Sequence, residues 1–441
     1  MEPEPQKSTL FRSKLFWAIV SVPLVILVTF VGIWIARQSS LDAQLAELRA
    51  KGLPTNASEV NDFYVVPDNV TDTTDLWVAA INAGQAAGSS PNIKTLPILG
   101  EGPTPIPPPG EAWAELEASR TLLANAKLEL QVIHRAGKAG GQVRFPVDFS
   151  AGIATLLPLT QNSRSVARLL TLDAHVAAHD GDFARVLQDL KSIFALSDAM
   201  RGEPCMVSQL VRIAIHNSGC NAAEELLPHS GWDDAELQSL QAVIGAARFK
   251  DGITHSMSGE RAISLTALDR MPLGPFRQAN KLEALRFYKT SIEGLSGSWS
   301  DAIKGQRDLS AEVKKLSASG LSRLRMRGVL LLLPALQQVA IAGARATARQ
   351  NSAIAVIATE RYRLKHGRLP ESLTEIDDEF LGHPSGRSTR LTDPFSGTPL
   401  LYKIEETRLV IYSVGENKKD DDADLDSEGK RPQDVGFSLK R

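Results

Sequence analysis

The chain has 441 residues, 43% of them hydrophobic, with 49 basic against 51 acidic side chains and a formal net charge of −2. That length allows two or three domains, and the balanced charge lacks the basic excess with which nucleic-acid binders hold phosphate, so no nucleic-acid partner is expected. Two cysteines, Cys205 and Cys220, are too few for a disulfide-stapled fold. On one helix they would stand roughly 22 Å apart, beyond the ~5.5 Å between Cα atoms of a disulfide. They therefore read as buried small apolar residues, unless the chain reverses near Gly219.

Residues 1–14 form a polar tail containing Pro3 and Pro5. From Leu15 to Ala36 there is no charge, over about the length a helix needs to cross a bilayer's hydrocarbon. Trp17 and Trp34 stand near its ends, where indole rings favour the membrane–water boundary, and Lys7, Arg12 and Lys14 precede it. The expectation is a single-pass protein of the inner (cytoplasmic) membrane, N-terminus in the cytoplasm and bulk in the periplasm. A cleaved signal is the rival. Such signals have shorter apolar regions and small residues before the cut, whereas Trp34 stands where a cut after Ala36 would need one. Gly32 and Ala36 make a small-xxx-small pair, a candidate homodimer face. Asn56-Ala-Ser58 and Asn69-Val-Thr71 match the glycosylation pattern, which is common by chance.

Residues 37–110 read as a connector. Leu41, Leu45 and Leu48 carry the helix outward until Gly52 and Pro54 stop it, and Asp72 to Ala87 has Leu76, Trp77, Ala80 and Ile81 on one face. The run Pro97 to Gly110 is rich in proline, which removes donors and enforces extended backbone, so it reads as a semi-rigid spacer or a proline-rich docking ligand.

Residues 111–320 carry helical periodicity almost throughout. The clearest pair spans Ser165 to Met200. Val166, Leu169, Leu170, Val176 and Ala177 line its first helix, and Val186, Leu187, Leu190, Ile193 and Phe194 its second. His179-Asp180-Gly181-Asp182 lies between them, with glycine to end one helix and Asp182 to cap the next. This pair resembles the helix–turn–helix units of tetratricopeptide-like arrays. Further helices are expected near 205–227, 233–249, 256–271, 277–293 and 300–317, making an irregular helical-hairpin domain.

A second apolar run, from Gly328 to Ala346, is broken by Pro334, Gln337 and Gln338 and reads as a buried helix, with a membrane segment as the alternative. It continues to about Lys365 as the first part of a unit covering 321–441. Gly367 and Pro370 then end it. Asp393-Pro394 with Gly397 makes a turn, and Leu400–Tyr402 and Leu409–Tyr412 are short strands around a Glu405-Glu406-Thr407 tip.

Tyr362, Gly367, Pro370, Asp393, Pro394, Gly397, Pro399, Tyr402, Tyr412, Ser413 and Gly415 stand in an order that resembles the globular head of the major pseudopilin of type II secretion systems. The resemblance covers residues 353–437 or so. It implies an α+β head with a short antiparallel sheet and an acidic calcium loop, for which Asp420, Asp421, Asp422 and Asp424 with the Ser413 carbonyl are the candidate shell. The chain departs from the family in lacking its processing site and helix glutamate, which argues against a processed fibre subunit, and in the spacing of its aspartates. The other reading of the loop is a solvated acidic run.

His175 and His179, four apart on one helix face with Asp180 and Asp182 nearby, are a candidate metal pair. His134, His216 and His255 show no ligand spacing, and there is no GxSxG elbow, Walker A loop or GxGxxG. The sequence thus reads as mainly α: an anchor, a helical domain and a small α+β head. Its expected role is as an extracytoplasmic interaction or scaffold protein tied to secretion or envelope organisation. The alternative is a metal-dependent envelope hydrolase using His175 and His179.

Overall fold

The computed structural model describes residues 14–88, 91–332, 335–381, 391–425 and 433–441, and the tail before Lys14 and Pro334 lie outside them. Helix α1 (Lys14–Ala50) runs unbroken from the apolar stretch into the leucine-spaced one. Gly52 at φ 70° and Pro54 end it, the first by a left-handed turn and the second by its missing donor. Among the described residues α1 supplies the helix long and apolar enough to cross a membrane, over Ser21–Ala50.

Two helices come next, in the stretch expected to be a connector: α2 (Glu59–Phe63) and α3 (Thr74–Ala87). Trp77, Ala80 and Ile81 of α3 are buried, and so are Leu96, Ile106 and Trp113 beyond it, all in one cluster with the helical body. Residues 55–88 and 91–113 are therefore part of the body rather than a spacer. The reason lies in the apolar residues between the prolines: an extended strip carrying Ile106 can be laid over helices whose faces need cover. At α3 the approach is close, since a Cβ on Gly84 would come within 2.5 Å of Val166 Cγ2.

The body continues through α4 (Leu116–Asn125), α5 (Lys127–Ala139), α6 (Pro158–His179), α7 (Phe183–Ala199), α8 (Met206–Leu226) and α9 (Asp234–Gly245). The α6–α7 pair is the expected hairpin. Gly181 takes φ 73°, and Asp182 accepts the Arg185 backbone N–H at 3.1 Å. A reciprocal Asp233–Glu236 capping box opens α9. Next come α10 (Phe249–Arg270), α11 (Arg277–Ser296), α12 (Trp299–Ala318), α13 (Gly320–Arg325) and α14 (Arg327–Leu332). Helix α10 starts some turns earlier than its apolar pattern suggests. Cys205 and Cys220 are both free.

Helix α15 (Ala335–His366) organises the C-terminal part of the chain, packing on α8, α9, α10 and α12 and on the sheet. Its small buried residues Ala340, Ala344, Ala346 and Ala348 suit such a many-sided position. A short α16 (Asp378–Leu381) and strands β1 (Leu401–Ile404), β2 (Arg408–Ser413) and β3 (Val435–Lys440) complete the chain. The sheet is antiparallel in the order β1-β2-β3, with Ile411 opposite Phe437. Ile357, Leu409, Ile411, Phe437 and Leu439 share one cluster with Leu190, Leu226 and Leu240 of the helical body. The expected division at 320/321 therefore corresponds to no break in packing.

Candidate functional site

The head turns are held by Asp393. Its Oδ1 accepts from the Phe395 N–H (2.8 Å) and the Ser413 hydroxyl (2.7 Å), and its Oδ2 from the Ser396 hydroxyl (3.0 Å) and the Val414 N–H (3.1 Å). Tyr402 donates to the Pro370 carbonyl at 2.7 Å, and Tyr362 to Glu375 at 3.0 Å. Gly367 takes φ 70°. The residues behind the pseudopilin resemblance thus bond turn to turn, while Ser413 is buried and its hydroxyl is engaged by Asp393.

The acidic loop is only partly gathered. Asp420 accepts from the Tyr412 hydroxyl and the Asp422 N–H, each at 3.0 Å, and Asp421 accepts from the Asn417 amide at 2.6 Å. Asp422, at φ 62°, turns outward to Lys403 at 2.7 Å. Asp424 is half-buried, and residues 426–432 lie outside the described ones. The pattern by spacing missed Asp434. Only 1% exposed, it accepts the Asp421 and Ala423 N–H groups on Oδ2 at 3.2 and 3.0 Å, while its buried Oδ1 has no partner. Burial, with the charges of Asp421 and Asp420, pushes its carboxyl up to about 6. Asp434 is thus tied to Asp421 and Ala423 through their N–H groups, Asp422 is turned to Lys403, and the carboxylates of this loop do not bring three ligand atoms within 4.8 Å of one another among the described residues.

His175 and His179 do not converge. The buried His175 lies 3.3 Å from Glu225 by its Nε2, and burial pushes its pKa down to about 4. His179 Nε2 lies 2.9 Å from the Pro107 carbonyl, with its ring tilted against Trp113. His175 lines a cleft of about 880 Å³ with Glu224, Glu225, Arg345, Arg349 and the Pro105–Pro109 strip. This cleft lies where the helical body meets β3, and Arg349 spans it, pairing with Glu224 and donating to the Gly436 carbonyl.

The described residues that bring three ligand atoms within 4.8 Å of one another are His134 of α5, Asp173 of α6 and Asp189 of α7. His134 Nε2 is 2.6 Å from Asp189 Oδ1, while Asp189 Oδ2 is buried with no hydrogen-bond partner. Burial, then the charge of Asp173, raises Asp189 well above the carboxylate range, and burial lowers His134. Arg185 binds both oxygens of Asp173 and, with Arg120 and Lys127, helps line an open cleft of about 660 Å³. The set can hold a proton between imidazole and carboxyl, or a cation if Arg185 swings away. Its signal in the sequence was an interruption: Asp173 and Asp189 sit on the apolar stripes that bury Leu169, Leu170, Val186 and Ile193.

Gly32 and Ala36 lie on the exposed part of α1, and a Cβ on Gly32 would meet no protein atom within 4 Å. No family model, curated protein or solved structure matches the chain.

Proposed function

We propose that this is a membrane-anchored scaffold of the cell envelope, its bulk outside the cytoplasmic membrane, which presents the cleft between helical body and head to a protein partner of secretion or envelope organisation. The observation that carries the reading is the continuity of α1. Its apolar half is exposed, while Leu41, Leu45 and Leu48 pack on Leu265, Leu282 and Leu285 of α10 and α11. A helix shared between lipid and body mounts that body at a fixed height and angle, which suits a scaffold better than a flexible tether does. The mixed charge of the cleft, lined by Glu224 and Glu225 as well as by Arg345 and Arg349, suits a polar protein surface.

The pseudopilin-like head is proposed to hold calcium at Asp420, Asp421 and Asp434, and Gly32 with Ala36 to pair two anchors. The metal-dependent hydrolase is the second reading. The geometry favours His134, Asp173 and Asp189 for it over His175 and His179, at the cost of displacing Arg185.

A periplasm-active reporter fused after Arg441 is expected to be active, and the full-length protein to stay with membranes through a carbonate wash. Crosslinkers at Asn221 and Glu225 should then capture a discrete partner. A soluble product starting near Arg37 would overturn the anchor. Zinc retained through purification and lost in His134→Ala would replace the scaffold with the hydrolase.

A further inference from the structure

Helix α11 runs beside the outer half of α1 in the same direction. Gln278 donates to Gln38 at 3.2 Å, Leu282 and Leu285 pack with Leu41, and Lys289 acts on the charge of Glu47. The first turn of α11 therefore lies toward the apolar half of α1. Helices α13 and α14 are fastened to that turn. Asn280 donates to the Arg325 carbonyl at 2.8 Å and accepts the Val329 N–H at 3.1 Å, and Arg327 donates to the Pro272 carbonyl. Asn280 is two residues beyond Gln278, a rise of about 3 Å. Residues 325–329 thus sit within about one turn of Gln38, just past Ala36, where the apolar run ends.

On these two short helices three leucines face out: Leu321 at 76%, Leu324 at 55% and Leu331 at 71% exposure. Lys314, Lys315, Arg323, Arg325 and Arg327 are exposed around them. Between Glu312 and Glu360 the chain has no acidic residue. Water penalises the leucines, and no acid on this segment offsets its cations. Apolar side chains beside arginines are the composition of segments lying in the headgroup layer, where leucines reach the acyl boundary and guanidinium groups meet phosphates.

We infer that α13 and α14 form a foot resting on anionic phospholipid beside the anchor, a second membrane contact that fixes the tilt of the body. The inference rests on the anchoring reading. It commits to the lipid surface because the patch is continuous with the anchor and its charge complements phosphate.

The test uses the full chain in nanodiscs of phosphatidylcholine, alone or with phosphatidylglycerol, in a Cys205→Ala/Cys220→Ala background. An environment-sensitive fluorophore is placed at Leu324→Cys in the foot, Val25→Cys in the anchor, or Leu128→Cys on exposed α5. The Val25 and Leu324 labels should be blue-shifted, the first quenched by deep and the second by shallow spin-labelled lipid, and the second more strongly with phosphatidylglycerol. Deuterium exchange of residues 320–332 in the unmodified chain should slow in the anionic discs. If Leu324 emits like Leu128 in both discs while Val25 reads lipid, the foot is overturned and the anchor stands. If Val25 reads water, anchor and foot fall together.

Discussion

The molecule holds two clusters of carboxylates, and they are built on opposite terms. In the helical body, Asp173 and Asp189 come from adjacent helices, are both fully buried, and meet His134. Each is dealt with locally, Asp173 by a guanidinium and Asp189 by the His134 ring 2.6 Å away, while burial raises its affinity for a proton. In the head, Asp420, Asp421, Asp422 and Asp424 are neighbours in sequence and mostly face solvent, and their repulsion is spread over Lys403, Asn417 and backbone donors. Density of acid in the chain therefore does not measure how tightly carboxylates are brought together in space. Among the described residues, Asp434, just before β3, gives the head loop a buried carboxylate.

The largest test of the contrast addresses the packing that confines the body cluster. Leu190 follows Asp189 on α7 and is fully buried, so Leu190→Ala should cost roughly 2–5 kcal/mol in urea melts. A loss under about 0.5 kcal/mol, the size of an ordinary surface change, would mean that this helix face is not confined.

The next pairs one carboxylate from each cluster. Asp173→Asn removes the partner of Arg185 inside the fold. The expected loss is on the order of 3 kcal/mol, at the low end for a broken buried pair because Arg185 is still about one-third exposed. Asp422→Asn touches a side chain 89% exposed and paired to Lys403, and should change stability by less than about 0.5 kcal/mol. Equal losses in the two variants would erase the contrast.

These two sites also mark how far the sequence could be read. Helices with clean apolar stripes were legible: the α6–α7 hairpin, its Gly181-Asp182 turn, α3 and α9 all form where periodicity and caps put them. So was the β1–β2 hairpin, from two alternating apolar runs around a polar tip. Strand β3 was not, because its six residues come after an acidic run and acquire meaning only by pairing with β2. The connector was misread for a similar reason. Proline forbids a helix but does not forbid burial, and Ile106 and Trp113 are core residues fixed by what lies beneath them. His134 and Asp189 are 55 residues apart, so no spacing rule joins them. The break that two aspartates make in apolar stripes was the one signal of the cluster.

The last test separates a proton from a cation at Asp434. Its folded carboxyl titrates near 6, above the ordinary aspartate value of about 3.9. A raised value means that the folded chain holds this proton more tightly than the unfolded one does. The stability so gained is full below about pH 4 and is lost as pH rises through about 6. Above that, Asp434 is a buried anion beside Asp420 and Asp421, with Oδ1 lacking a hydrogen-bond partner, and the calcium proposed for this loop would take the place the proton left. Calcium at tenfold excess over its Kd should then raise stability by about 1.4 kcal/mol at pH 7.5, as RT ln(1 + [L]/Kd) requires for a ligand of the folded state. Magnesium should do less, since it demands a tighter octahedral shell. At pH 5 the calcium effect should shrink, because the proton again occupies the site. Asp434→Asn should abolish it at both pH values while melting later than the native chain in chelator at pH 7.5, having lost a buried charge. A melting temperature that calcium leaves unchanged at pH 7.5 would return the head loop to a solvated acidic run, with Asp434 a buried acid that holds only a proton.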